Sequence, residues 1–86
     1  MKVTLRATPN EWQPGMTDYA WDLECEEPDC AFTGGIRRPI PDEALTPEHM
    51  SYYETGNNYV VANMLKEMPC EHLGKIDWPW PEGTRR

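Results

Sequence analysis

The sequence predicts an α+β fold, a small antiparallel sheet packed against one or two short helices and stapled by zinc in the manner of a zinc ribbon or treble clef. Three observations predict it. Stretches near the N terminus alternate apolar and polar residues with the period of a strand. Later, Val61, Met64, Leu65 and Met68 recur at spacings of three, one and three, which lays them on one helical stripe. Finally, three cysteines and a histidine fall in two short pieces, Cys25 to Cys30 and Cys70 to His72, which together offer a complete tetrahedral set of zinc ligands.

The elements follow in order. Val3, Leu5 and Ala7 alternate with Lys2, Thr4, Arg6 and Thr8, a half-buried strand that Pro9 ends. Residues 9–17 read as a loop turning at Pro14-Gly15, with Trp12 as a lid on the core. Tyr19, Trp21, Leu23 and Cys25 then share one side of a second strand, and Asp18, Asp22, Glu24 and Glu26 share the other. Like charges two residues apart repel, and Lys2 and Arg6 are placed to counter them if the two strands pair as an antiparallel hairpin.

Gly34-Gly35 suits a hairpin turn flanked by Phe32 and Ile36, and Pro39 and Pro41 are expected to stop any strand and leave 39–46 as an extended connector. Thr46-Pro47-Glu48 is a helix start, with threonine as N-cap and proline at the first helical position. Thr55-Gly56-Asn57-Asn58 interrupts the pattern. It predicts a helix over 47–54 and a second over 59–68 capped by Asn58, the alternative being one helix bent at Gly56. Pro69 stops the helix, Gly74 turns the chain, and residues 75–78 suit a last short strand. The domain is read as 1–78, with 79–86 as an extended tail.

A chain of 86 residues buries only about 60 to 65% of the surface its unfolded form exposes, so an added staple is expected. Three cysteines cannot all enter disulfides. No long apolar run follows Met1 to Arg6, so neither a secretory signal nor a membrane span is expected, and a reducing cytoplasm is the expected setting. There, clustered cysteines point to metal. The four-residue gap between Cys25 and Cys30 lets a turn at Pro28-Asp29 bring both sulfurs to one side, and Cys70 and His72 point the same way if the chain between them is extended. A Cys25–Cys30 disulfide or redox pair with Cys70 spare, and three buried cysteines without a metal, are the competing readings. His49 is a reserve ligand, better suited to capping the helix that starts beside it.

Four protein ligands would leave zinc no open position, which argues for a structural metal and against an enzyme. Were His72 not a ligand, three thiolates could hold a zinc with one open site, and Glu26, Glu27 or Glu71 could serve as base. No phosphate loop, serine elbow or metalloprotease helix motif is present in the sequence.

Charge bears on partners. The formal net charge is -7, and residues 21–30 carry five acids and no base. Such a field favours a protein partner with a basic surface and repels nucleic acid. The candidate contact residues are Asp22, Glu24 and Glu26 on the acidic strand, and Trp78 and Trp80, whose rings either anchor a partner or fold back over the core. Two other functions compete: a nucleic-acid-binding finger using Arg37-Arg38 and Arg85-Arg86, and an acidic mimic of nucleic acid.

The run from Trp21 to Cys30, followed by Phe32 and Gly34-Gly35 and closed by Cys70 and His72, resembles small zinc-finger-like proteins of actinobacteria and their phages. The resemblance spans about half the chain. It implies a structural zinc and a role in phage and host interaction, and it carries over no catalytic residue.

Overall fold

Alternation through β2 gives the sheet a single buried face, because successive side chains of a strand point to opposite sides. The computed structural model describes residues 1–72 and 74–81. Three antiparallel strands follow one another in chain order: β1 (Lys2–Pro9), β2 (Met16–Glu24) and β3 (Thr33–Pro41), with β2 in the centre. The first two pair as expected, setting Val3 opposite Leu23, Leu5 opposite Trp21 and Ala7 opposite Tyr19 on the core side. On the outer side Lys2 stands opposite Glu24, and Arg6 makes an ion pair with Asp22 at 3.1 Å. Of the acidic row, Asp22 is thus countered from β1, while Glu24 and Glu26 face solvent.

β3 corrects two expectations. Gly34 and Gly35 form no turn; they lie within the strand, opposite Leu23 and Asp22. Gly34 is there for room, since a Cβ at that position would stand 2.6 Å from the Met64 sulfur on the helix above. Nor do Pro39 and Pro41 stop the strand. The backbone N–H of Asp42 donates to the Gly15 carbonyl at 2.8 Å, so even-numbered residues here face β2 and the two prolines face away from it. Their missing donors fall on the free edge of the sheet, where proline is tolerated.

After a 3₁₀ turn (Asp42–Ala44), one continuous helix, α1 (Pro47–Glu67), packs across the sheet. Thr46 caps it, its hydroxyl oxygen accepting from the His49 N–H at 3.3 Å, and the His49 ring lies 2.7 Å from the same hydroxyl. The expected break at 55–58 is absent, and its residues have tertiary partners instead. Gly56 leaves room for the Arg38 guanidinium, which a Cβ would meet at 2.9 Å. Asn57 is fully buried, and its side-chain oxygen accepts from Arg38 Nε at 2.5 Å. Asn58 accepts from the Trp78 indole at 2.9 Å. Contacts of this kind offset the roughly 1 kcal/mol that glycine costs within a helix. Val61 is buried and Met64 and Leu65 are half-buried, but Met68 lies past the helix end and is exposed.

Residues 74–81 form no strand. They nevertheless run back over β2 and complete the core. Trp78 is 3% exposed, and the Trp21 indole, with no exposure at all, donates to the Pro79 carbonyl at 2.8 Å. Trp80 donates to Glu54 at 2.8 Å and meets Trp21 edge-on at 5.3 Å. Trp12 behaves in the opposite way. It is no lid on the core, being 88% exposed on the β1–β2 loop. Residues 82–86, with the Arg85-Arg86 pair and most of the expected tail, lie outside the described residues.

Candidate metal centre

Cys25 is the last inward-facing residue of the run Tyr19, Trp21, Leu23, and it is buried for that reason. Its backbone N–H donates to the Phe32 carbonyl at 3.1 Å, which carries the β2–β3 ladder one residue past the strand ends. Between them the chain makes a turn in which the Cys30 N–H donates to the Glu27 carbonyl at 3.1 Å. Pro28 occupies the second position of that turn, where its fixed φ is favoured. The turn returns Cys30 beside Cys25.

The second pair comes from the end of α1. The Met68 N–H closes the last turn on the Met64 carbonyl at 2.9 Å, and Pro69 prevents continuation. Cys70 and His72 are brought together by a turn at Glu71-His72, a tighter arrangement than the extended segment expected from their spacing.

The two pieces meet. The Cys30 and Cys70 sulfurs are 3.5 Å apart, and the Cys25 sulfur is 3.7 Å from His72 Nδ1. One ligand atom from each of Cys25, Cys30, Cys70 and His72 lies within 4.8 Å of all the others. A tetrahedral zinc with ligands at about 2.0 to 2.3 Å sets neighbouring donors about 3.5 to 3.8 Å apart, so these four residues fit such an ion. All three cysteines are free thiols. Burial falls from Cys25, which is buried, through Cys30 and Cys70 to His72, which is exposed.

The surroundings are acidic. Glu24, Glu26, Glu27, Asp29 and Glu71 are all exposed around the ligands, and Glu27 and Asp29 lie with His72 in a second group whose ligand atoms are within 4.8 Å of one another. That proximity had no signal in the spacing alone. Of the expected contact residues, Asp22 is held by Arg6, while Glu24 and Glu26 face solvent. Trp78 and Trp80 are not displayed; their indole N–H groups are used inside the fold. His49 serves the helix cap and stands outside the ligand cluster.

Tyr19, beside Trp21 on the buried face, has its hydroxyl pushed above the ordinary tyrosine range, first by burial and then by the Asp42 carboxylate. Among the described residues, no helix is long and apolar enough to cross a membrane. No family model, curated protein or solved structure matches this chain.

Proposed function

We propose that this chain is a small acidic protein-interaction module whose fold is stapled by a structural zinc ion on Cys25, Cys30, Cys70 and His72. One observation carries the reading: four donor atoms from two segments forty residues apart in sequence lie within 4.8 Å of one another. Three thiolates and an imidazole form a soft, tetrahedral set that suits zinc. When bound, the ion supplies a cross-link and no reaction, because the protein fills all four positions. With three thiolates on one divalent ion, the formal charge moves from -7 to about -8.

The partner this charge favours is a protein with a basic surface, met in the cytoplasm. The competing nucleic-acid reading uses Arg37-Arg38 and Arg85-Arg86; the second pair lies outside the described residues, and the strand separates the first. Arg38 reaches Asn57 beneath the helix, and Arg37 lies on the outer face of the sheet. Metal analysis of the purified protein, joined to thermal unfolding with and without a chelator, tests the staple. Stoichiometric zinc and a melting temperature that collapses on chelation are expected; a metal-free protein with unchanged melting overturns the reading.

A further inference from the structure

The β1–β2 loop combines an exposed indole with a hydrogen-bonded framework for the backbone that carries it. Asn10 accepts through its side-chain oxygen from the backbone N–H groups of Trp12 at 2.8 Å and Gln13 at 3.0 Å. Its own backbone N–H donates to the Met16 carbonyl at 2.9 Å, and Met16 N–H donates to Gln13 at 3.2 Å. Gly15 takes a positive φ of 81°, a conformation glycine adopts without strain, and its carbonyl accepts from Asp42. The Thr17 hydroxyl donates to the Asp42 carboxylate at 2.7 Å, tying the loop to the end of β3. An exposed tryptophan on a loop ordered in this way can enter an interface with little further loss of conformational freedom.

Trp12 is also the exception among four tryptophans. The indole N–H groups of Trp21, Trp78 and Trp80 all donate within the fold, and Trp12 is left 88% exposed. Beside it runs an open groove of about 630 Å³, with Pro14, Met16 and Pro41 as its apolar lining. The charged residues lining the groove are Asp42 and Glu43, both acidic, while Arg6, Arg37 and Arg38 group with Asp18 on a separate part of the sheet. Residues 9–18 and 39–48 contain five acids and no lysine or arginine. Asp18 is engaged by Asn10 and Asp42 by Thr17, while Glu11 and Glu43 are exposed.

We infer that this loop is a docking site for an arginine-bearing segment of a protein partner, the guanidinium stacking on the Trp12 indole with Glu11 and Glu43 as its counter-charges. Arginine is the side chain that fits: it is planar, always charged, weakly hydrated and able to stack on an aromatic face. The inference rests on the interaction-module reading but does not involve the metal centre, which lies at the other end of β2.

The test uses the full, metal-loaded chain and blocked hexapeptides holding two arginines in an alanine background, with citrulline or glutamate replacing arginine as controls. Binding is followed at the four indole N–H signals and the backbone amides by NMR. The arginine peptide is expected to move the Trp12 indole signal, the citrulline peptide to bind about tenfold more weakly, and Trp12→Ala to lose about tenfold with unchanged melting. Glu11→Gln combined with Glu43→Gln is expected to weaken binding and reduce its salt dependence. Shifts confined to Glu26, Asp29 and Glu71 would overturn the inference and leave the interaction-module reading standing. No binding to any peptide overturns the inference as well and counts against a basic partner. Self-association through Trp12 without peptide would replace the proposed occupant with a second copy.

Discussion

Two groups of side chains lie where the chain that leaves α1 meets β2, and they differ in their physics. The cysteine cluster sets Cys70 and His72 beside Cys25 and Cys30 on short turns, in an acidic and partly solvated setting, and becomes a staple only through the metal ion proposed above. The tryptophan clasp joins Trp78 and the half-buried Trp80 to Trp21 and Tyr19 through ring contacts, and each of the three indoles has a hydrogen-bond acceptor. The proposed staple would depend on an ion that the environment must supply. The clasp is built entirely from the chain. With the proposed ion bound, the domain would divide its cohesion between conditional and unconditional contacts.

Breaking the proposed staple is expected to be the largest perturbation. Structural zinc in small domains contributes apparent binding energy of roughly 10 kcal/mol, against a typical net stability of about 5 to 15 kcal/mol. Cys25→Ser, the buried ligand, is therefore expected to release the metal and leave a chain that melts early or not cooperatively, read by metal content and circular dichroism. If the clasp alone sustains a cooperative transition near the original temperature, the staple is not what holds the fold.

Breaking the clasp comes next. Trp21→Ala removes a fully buried ring and an indole donor, with an expected loss of about 3 to 5 kcal/mol in urea unfolding of the metal-loaded protein. Metal content should stay stoichiometric, since Trp21 is not a ligand. Loss of metal with the ring would show the two fastenings to be one cooperative unit.

Smaller effects sharpen the picture around the helix. Asn57→Ala leaves the half-buried Arg38 without its acceptor, and a cost of about 1 to 3 kcal/mol is expected. Adding Arg38→Met should recover part of it, a coupling that a double-mutant cycle measures. Thr46→Ala removes the N-cap, with an expected loss of about 1 kcal/mol.

The least effect is a pH dependence at Tyr19. Its hydroxyl ionises at higher pH in the folded protein than at the ordinary 10.0, so the folded state holds this proton more tightly than the unfolded state. The linked stability is fully present below pH 10.0 and is lost as pH rises from there through the folded value. Tyr19→Phe should flatten the alkaline limb of a stability-against-pH curve, while a limb that keeps its slope would assign the loss to another group.

The sheet's inner face, the N-cap and the clustering of Cys25, Cys30, Cys70 and His72 were legible in the sequence because each draws on a local pattern with a local cause. Tyr19, Trp21, Leu23 and Cys25 alternate, Thr46-Pro47 caps, and Pro28-Asp29 turns. What misled was local chemistry answered from far away. Gly56 and Asn57 read as a break until Arg38 is set beneath them, and Gly34 reads as a turn until Met64 is placed over it. The prolines of β3 stop a strand only if their missing donors would face a partner. Trp12 carries no local sign of exposure at all, since nothing in its neighbourhood tells a lid from a displayed ring.

Pro39 and Pro41 have a consequence for growth by strand addition. They deny an incoming strand two donors along the β3 side, so β1 is the side of the sheet with more to offer. Two copies joined edge to edge through β1 would form one sheet of six strands with proline-bearing β3 at both margins. Such a pairing would close after a single round, as a dimer, instead of seeding a fibre.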